Sequence, residues 1–159
     1  DADFRGANFT ESCWHSAVGW GGNTLDGALM DGVDLSVARC FNGISMKGTN
    51  LPGADLSEIH LSYVDLSGAN LVGADLSDVR VSSGGSALVN GANMRNANLR
   101  GSSLRMWDFR GADLSGADLT GADLDGANFV GANLQDTTFG NNNCGFGVTW
   151  GLDFPPVCP

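Results

Sequence analysis

Residues Gly111–Leu134 read GADLSGADLTGADLDGANFVGANL, nearly one phrase said five times. A period of five fits neither an α-helix, at 3.6 residues per turn, nor a strand, which alternates every second residue. A continuous helix is excluded, because this spacing spreads the Leu side chains round every side. Within one unit, Ala112-Asp113-Leu114-Ser115-Gly116, short-range alternation puts Ala112 and Leu114 on one face and Asp113 on the other. The two residues that follow are polar or Gly. Gly supplies the positive φ that a type II turn needs at its third position. Three extended residues and a corner, repeated, make a coil with its large side chains inside.

The same register extends in both directions. Central residues run Phe4, Phe9, Trp14, then Trp20, Leu25, Met30, Leu35 and Cys40. They resume at Met46 and continue through Leu51 to Val81, then from Val89 through Met94 to Phe139 and Cys144. That is roughly 28 units over about nine-tenths of the chain. Register slips are expected near residues 15–17, at Phe41-Asn42-Gly43 and at Ser82-Ser83-Gly84-Gly85-Ser86.

Units such as Ala54-Asp55-Leu56, Ala69-Asn70-Leu71 and Ala122-Asp123-Leu124 resemble those of the pentapeptide-repeat proteins. The resemblance implies an all-β fold, a right-handed four-sided parallel β-helix with four units per coil. It places the central Leu or Phe and the preceding Ala inside. About seven coils would then stack at ~4.8 Å into a rod about 35 Å long. Residues about 20 apart should stack, so one interior column reads Leu51, Leu71, Met94, Leu114, Leu134 and another Leu66, Val89, Phe109, Phe129. Outside the first, Asn50, Asn70, Asn93, Asp113 and Asn133 line up, and Asn over Asn can form a side-chain ladder.

The expected domain layout is a β-helix over 1–144 and a capping tail over 145–159. The tail is rich in apolar residues, among them Phe146, Val148, Trp150, Leu152 and Phe154, and a solenoid must cover its open end. A Cys144–Cys158 disulfide would hold this lid, closing a ~15-residue loop for roughly 3 kcal/mol. Cys13 and Cys40 point outward and inward in this register and are harder to pair. The cysteines favour an oxidising compartment. Asp1-Ala-Asp-Phe already lies inside the repeat, so no signal peptide is read and the start suggests a processed chain or an excised domain. The first coil then has nothing above Phe4 and Phe9, so either preceding residues or a partner, a second copy included, is expected to cover that edge.

Composition narrows the chemistry. With 18 acidic and 8 basic residues in 159 and a net charge of -10, direct nucleic-acid binding is excluded, because it needs clustered Lys and Arg. No apolar run approaches the ~20 residues of a membrane span. His15 and His60 are the only imidazoles, and Cys13-Trp14-His15 has no second ligand pair, so no metal is expected. The Ser82–Ser86 stretch has no Lys and no helix after it, as a phosphate cradle would. Calcium-binding β-helix repeats have a nine-residue period. Asn8-Phe9-Thr10 is a lone glycosylation sequon. No cofactor and no enzymatic activity are expected.

What remains is a surface for protein partners. Clustered departures from the repeat bring together His60, Tyr63, Arg80, Arg105, Met106 and Trp107 beside the Ser82–Ser86 bulge. Trp107 occupies the position that is Ala in Ala112, Ala117, Ala122 and Ala127, so it either fills space opened by the bulge or turns outward. Arg95, Arg100, Arg105 and Arg110 follow the central residue in four successive units, either as a basic belt or as partners of nearby Asp, such as Arg105 over Asp125. The family resemblance implies a rigid interaction rod, serving a membrane-associated or photosynthetic complex in the thylakoid lumen. Two alternatives stay open: an acidic DNA mimic that binds a type II topoisomerase in the cytoplasm, and a rod stacking end to end into fibres.

Overall fold

The computed structural model describes residues 3–5, 13–15, 24–36, 40–145 and 147–150. A regular unit is joined to its neighbouring coils by three backbone bonds, and the sequence explains where they fall. In Asn50-Leu51-Pro52-Gly53, the Asn50 N–H donates to Ala28 C=O of the preceding coil (2.8 Å). The Leu51 N–H reaches forward to Asn70 C=O (2.7 Å) and the Gly53 N–H to Val72 C=O (2.9 Å). The corner closes with Ala54 N–H on Leu51 C=O (3.2 Å), and Gly53 carries the positive φ of 64° that this turn needs. One bridged residue per side is too little for a long strand. Among the described residues, only β1 (Cys13–His15) and β2 (Cys40–Asn42) are longer, and they pair in parallel with Cys13 opposite Cys40.

The single bridges fall into four columns, which makes the coil four-sided. One runs Thr24, Ser45, Asp65, Leu88, Asp108, Asn128, Thr149. A second runs Leu29, Asn50, Asn70, Asn93, Asp113, Asn133, and a third Asp34, Asp55, Asp75, Asn98, Asp118, Thr138. The fourth side holds His60–Arg80 and Ser103–Asp123–Asn143. Inside, Leu51, Leu71, Met94 and Leu114 are wholly buried, as are Leu66, Val89 and Phe109, in the expected columns. The rings of Phe109, Phe129 and Trp150 stack nearly parallel with centroids 4.7 and 4.9 Å apart. That is the spacing of neighbouring strands, so the rings climb one per coil.

Two placements differ from the sequence reading. Phe41, assigned to a slip, is buried, and Ile44 and Met46 follow it inside. The extra residue therefore lies before Phe41, not within 41–43. Near the other end, the coil does not stop at Cys144. Thr149 bridges Asn128, its N–H donates to Ala127 C=O (2.9 Å) and its C=O accepts from Phe129 N–H (2.7 Å), so Val148–Trp150 is a further unit. In the last coils Asp113, Asp118 and Asp123 each stack between Asn, Ser or Thr, whereas in the early coils Asp34, Asp55 and Asp75 stack directly on one another. Each offsets the repulsion by accepting bonds from the N–H and hydroxyl of its own Ser36, Ser57 or Ser77. The Asn ladder exists where Asn70 donates to Asn50 (2.6 Å). The proposed lid residues 151–159, with Cys158, and the sequon at 8–10 lie outside the described residues, as do the side chains of Cys13, His15 and Cys40.

Candidate interaction surface

Most of the outer surface is self-satisfied. The four Arg of the belt each meet a carboxylate. Arg100 pairs with Asp118 (2.8 Å), Arg105 with Asp123 (3.2 Å) and Asp125 (2.5 Å), and Arg110 with Asp108 (2.6 Å). Arg95 stands 4.0 Å from Asp113. The bond from Arg110 holds Asp108 below the usual carboxylate range, opposed by partial burial. Bonds from Ser115 lower Asp113, with Arg95 assisting. For Asp118, burial pushes the value up, but bonds from Thr120 and the Arg100 charge outweigh it and leave it low. The belt is thus a set of ion pairs, three Arg reaching the next coil and Arg110 its own Asp108, and not a free basic stripe.

The corner around Ser82–Ser86 is different. Asp65 pairs with Leu88, three residues more than the Asn50–Asn70 interval, so the loop bulges. Tyr63 N–H passes over the bulge to Ser86 C=O (2.7 Å). Ser62, fully buried, ties the loop down: its hydroxyl accepts from Ser82 N–H (2.7 Å) and lies 3.2 Å from His60 Nδ1. Gly85 is required here, because a Cβ would meet the Ser62 hydroxyl at 2.9 Å. Val81, Ser82–Gly85, Arg105 and Met106 enclose a cavity of about 280 Å³.

Two large residues flank the bulge on its own edge of the rod. Tyr63 (φ 59°) and Met106 (φ 59°) are the two large apolar residues among seven non-Gly corners at positive φ in the described residues, the others being Glu, Asp or Asn, and they are 57% and 63% exposed. Left-handed backbone costs roughly 1–2 kcal/mol for a residue with a Cβ. Neither side chain recovers that cost by full burial, although the Met106 sulfur lies against Gly126. Leu88 adds a third exposed apolar side chain, at a bridging position held by Asp65 and Asp108 in the adjoining coils. Sequence reading missed it, though a Leu in the Asp/Asn slot was a visible signal. Arg80 is exposed, with Glu58 at 4.0 Å.

Trp107 does not belong to this surface. It is completely buried and lies 5.7 Å from the Phe109 ring, so it fills the interior beside the bulge instead of turning outward. Its indole N–H has no hydrogen-bond partner. Of the predicted cluster, the structure therefore leaves His60, Tyr63, Arg80, Arg105 and Met106 at the corner. At the far end, Cys144 is disulfide-bonded. Among the described residues, no group of His, Cys, Asp or Glu could hold a metal ion, and no helix is long and apolar enough to cross a membrane.

The sequence matches the profile of the pentapeptide repeats, with 8 copies over residues 40–78, 86–116 and 108–141. The chain belongs to that family, whose members are generally structural or interaction proteins. Similar solved structures include the Nostoc pentapeptide-repeat protein alr5209, 32% identical over 70% of this chain and 77% of that one, with a TM-score of 0.37. AT2G44920, from the Arabidopsis thaliana thylakoid lumen, is 26% identical over 77% of this chain and 70% of its own (TM-score 0.35). QnrB1, a plasmid-mediated fluoroquinolone resistance protein, is 18% identical over 81% and 79% (TM-score 0.43). No curated protein matches the sequence.

Proposed function

We propose that this chain is a non-catalytic scaffold that offers the Ser82–Ser86 corner to a protein partner. The observation that carries the reading is the pair Tyr63 and Met106, large, exposed and held at positive φ where Gly would be unstrained. Strain kept without burial belongs to a surface selected for contact. Aromatic and Arg side chains on one patch are the usual anchors of such contacts. The rod is read as about seven coils that run on through Val148–Trp150, with a Cys144–Cys158 disulfide holding the chain beyond them. The disulfide at Cys144 supports an oxidising, extracytoplasmic site, read here as the thylakoid lumen.

The test is a photo-cross-linking amino acid placed at 63 or 106, with Gly73 on another corner as control. Irradiation in an extract of the source organism should give one discrete adduct from 63 and 106 and none from 73. Equal labelling from all three would overturn the reading. Mass spectrometry of unreduced peptides should join Cys144 to Cys158. The acidic DNA mimic is the second reading, favoured by the stacked carboxylates of Asp34, Asp55 and Asp75. Inhibition of a type II topoisomerase in a supercoiling assay, lost in an Asp34, Asp55 and Asp75 to Asn variant, would establish it instead.

A further inference from the structure

The bulge does more than displace a loop: it opens the hydrogen-bond ladder. On the same side of the rod, Leu61 N–H donates to Arg80 C=O and Leu104 N–H to Asp123 C=O. The corresponding rung between them is missing. Among the described residues, the Val81 N–H donates to nothing, and nothing donates to the Ser103 or Arg105 carbonyls. In regular corners, the equivalent of Arg105 C=O accepts from the corner N–H one coil before, as Arg95 does from Gly73 and Arg100 from Asp78. Val81 and Arg105 both line the 280 Å³ cavity. A free donor, Val81 N–H, and a free acceptor, Arg105 C=O, thus border one groove, and the second free acceptor, Ser103 C=O, lies two residues from Arg105.

We infer that this open rung is completed by the main chain of a partner: an extended peptide segment lies across the corner, accepting from Val81 N–H and donating to Ser103 or Arg105 C=O. This is strand addition on the scale of one or two residues. The rod shows how amide groups serve such gaps. Asn142, at another corner, accepts from Gly140 N–H (2.6 Å) and donates to Leu119 C=O (2.6 Å). The rim sets the side chains. Met106 and Tyr63 offer apolar contact, and Arg80, whose carboxylate neighbour is at 4.0 Å, faces outward from a rod of net charge -10. The segment is therefore apolar and acidic in alternation. The inference rests on the proposed binding corner and names its chemistry.

The experiment selects a displayed random heptapeptide library on the intact protein. Acidic, apolar-alternating peptides should be enriched. Replacing Ser82–Ser86 by Ser-Gly restores the 20-residue interval and closes the rung, and this variant should bind the selected peptides at least tenfold more weakly. Wild-type protein should discriminate equally against peptides N-methylated at one central residue, a measurement that needs no variant to fold. No enrichment, indifference to N-methylation, or full binding by the closed variant would overturn the inference. If the cross-links from 63 and 106 persist in the closed variant while peptide binding was never seen, the docking corner stands and only main-chain pairing falls.

Discussion

The run Gly111–Leu134 and the corner at Val81–Ala87 are built from the same coil, yet they treat the backbone oppositely. In the run the units from Leu114 to Phe129 close: Leu114 N–H reaches Asn133 C=O, Leu119 N–H Thr138 C=O, Leu124 N–H Asn143 C=O and Phe129 N–H Thr149 C=O, each within 2.8 Å. Its corners are Gly111, Gly116, Gly121, Gly126 and Gly131, all at positive φ. At Val81 the rung is open, and the neighbouring corners are Tyr63 and Met106. Regular units settle stability locally, one coil against the next. Where the bulge, two corners with large exposed apolar side chains and the Leu88 slot depart from the repeat together, stability alone does not account for the change.

The contrast can be broken first at Trp107. If it is core filler, Trp107→Ala should lose about 3–5 kcal/mol in urea titration, by transfer and cavity terms. A loss below about 1 kcal/mol would return the indole to the surface. In the regular stack, Leu99→Ala should lose ~2–5 kcal/mol by the same measurement. If the two regions proved equally indifferent, the inside of the coil would be misassigned.

A smaller effect of opposite sign sharpens the comparison. Replacing Tyr63 and Met106 by Gly relieves left-handed strain but adds unfolded-state entropy, so stability should rise by roughly 0–1 kcal/mol per site. Partner cross-linking from position 80 should disappear in the same double variant. A clear drop in melting temperature would make both residues structural. The smallest effect is electrostatic. Asp108, Asp113 and Asp118 have folded values held below their unfolded ones, near 3.9. Their contribution is complete above about pH 4 and is lost as pH falls through the folded values. Thermal melts from pH 7 to 2.5 should show that loss, and a triple Asp→Asn variant should flatten it. High salt should shrink it too, because these pairs are solvent-accessible.

How much of this was written in the sequence follows from what a period can encode. The interior columns were legible because Leu51, Leu71, Met94 and Leu114 repeat at the coil length, and any other path would expose them. Phe41 was misplaced because two apolar neighbours, Cys40 and Phe41, offer two registers, and only the stack above Leu61 chooses between them. Val148–Trp150 escaped notice because it lacks the Ala and Asp of other units and sits 21 residues from its partner. At the candidate site, the cluster His60, Tyr63, Arg80, Arg105 and Met106 was visible as departures from pattern. Burial of Trp107 was not, since either direction suited an Ala slot beside a bulge of unknown shape. The open rung was invisible too, because main-chain pairing leaves no mark on residue type.

Amide hydrogen exchange, residue by residue, tests the open corner most directly. Val81, Ser83 and Gly84 should exchange within minutes, as amides without partners do, while Leu99, Leu114 and Leu119 stay protected to the limit set by global unfolding. A Val81 amide as protected as Leu114 would mean the ladder is closed there, and the contrast between the two regions would be gone.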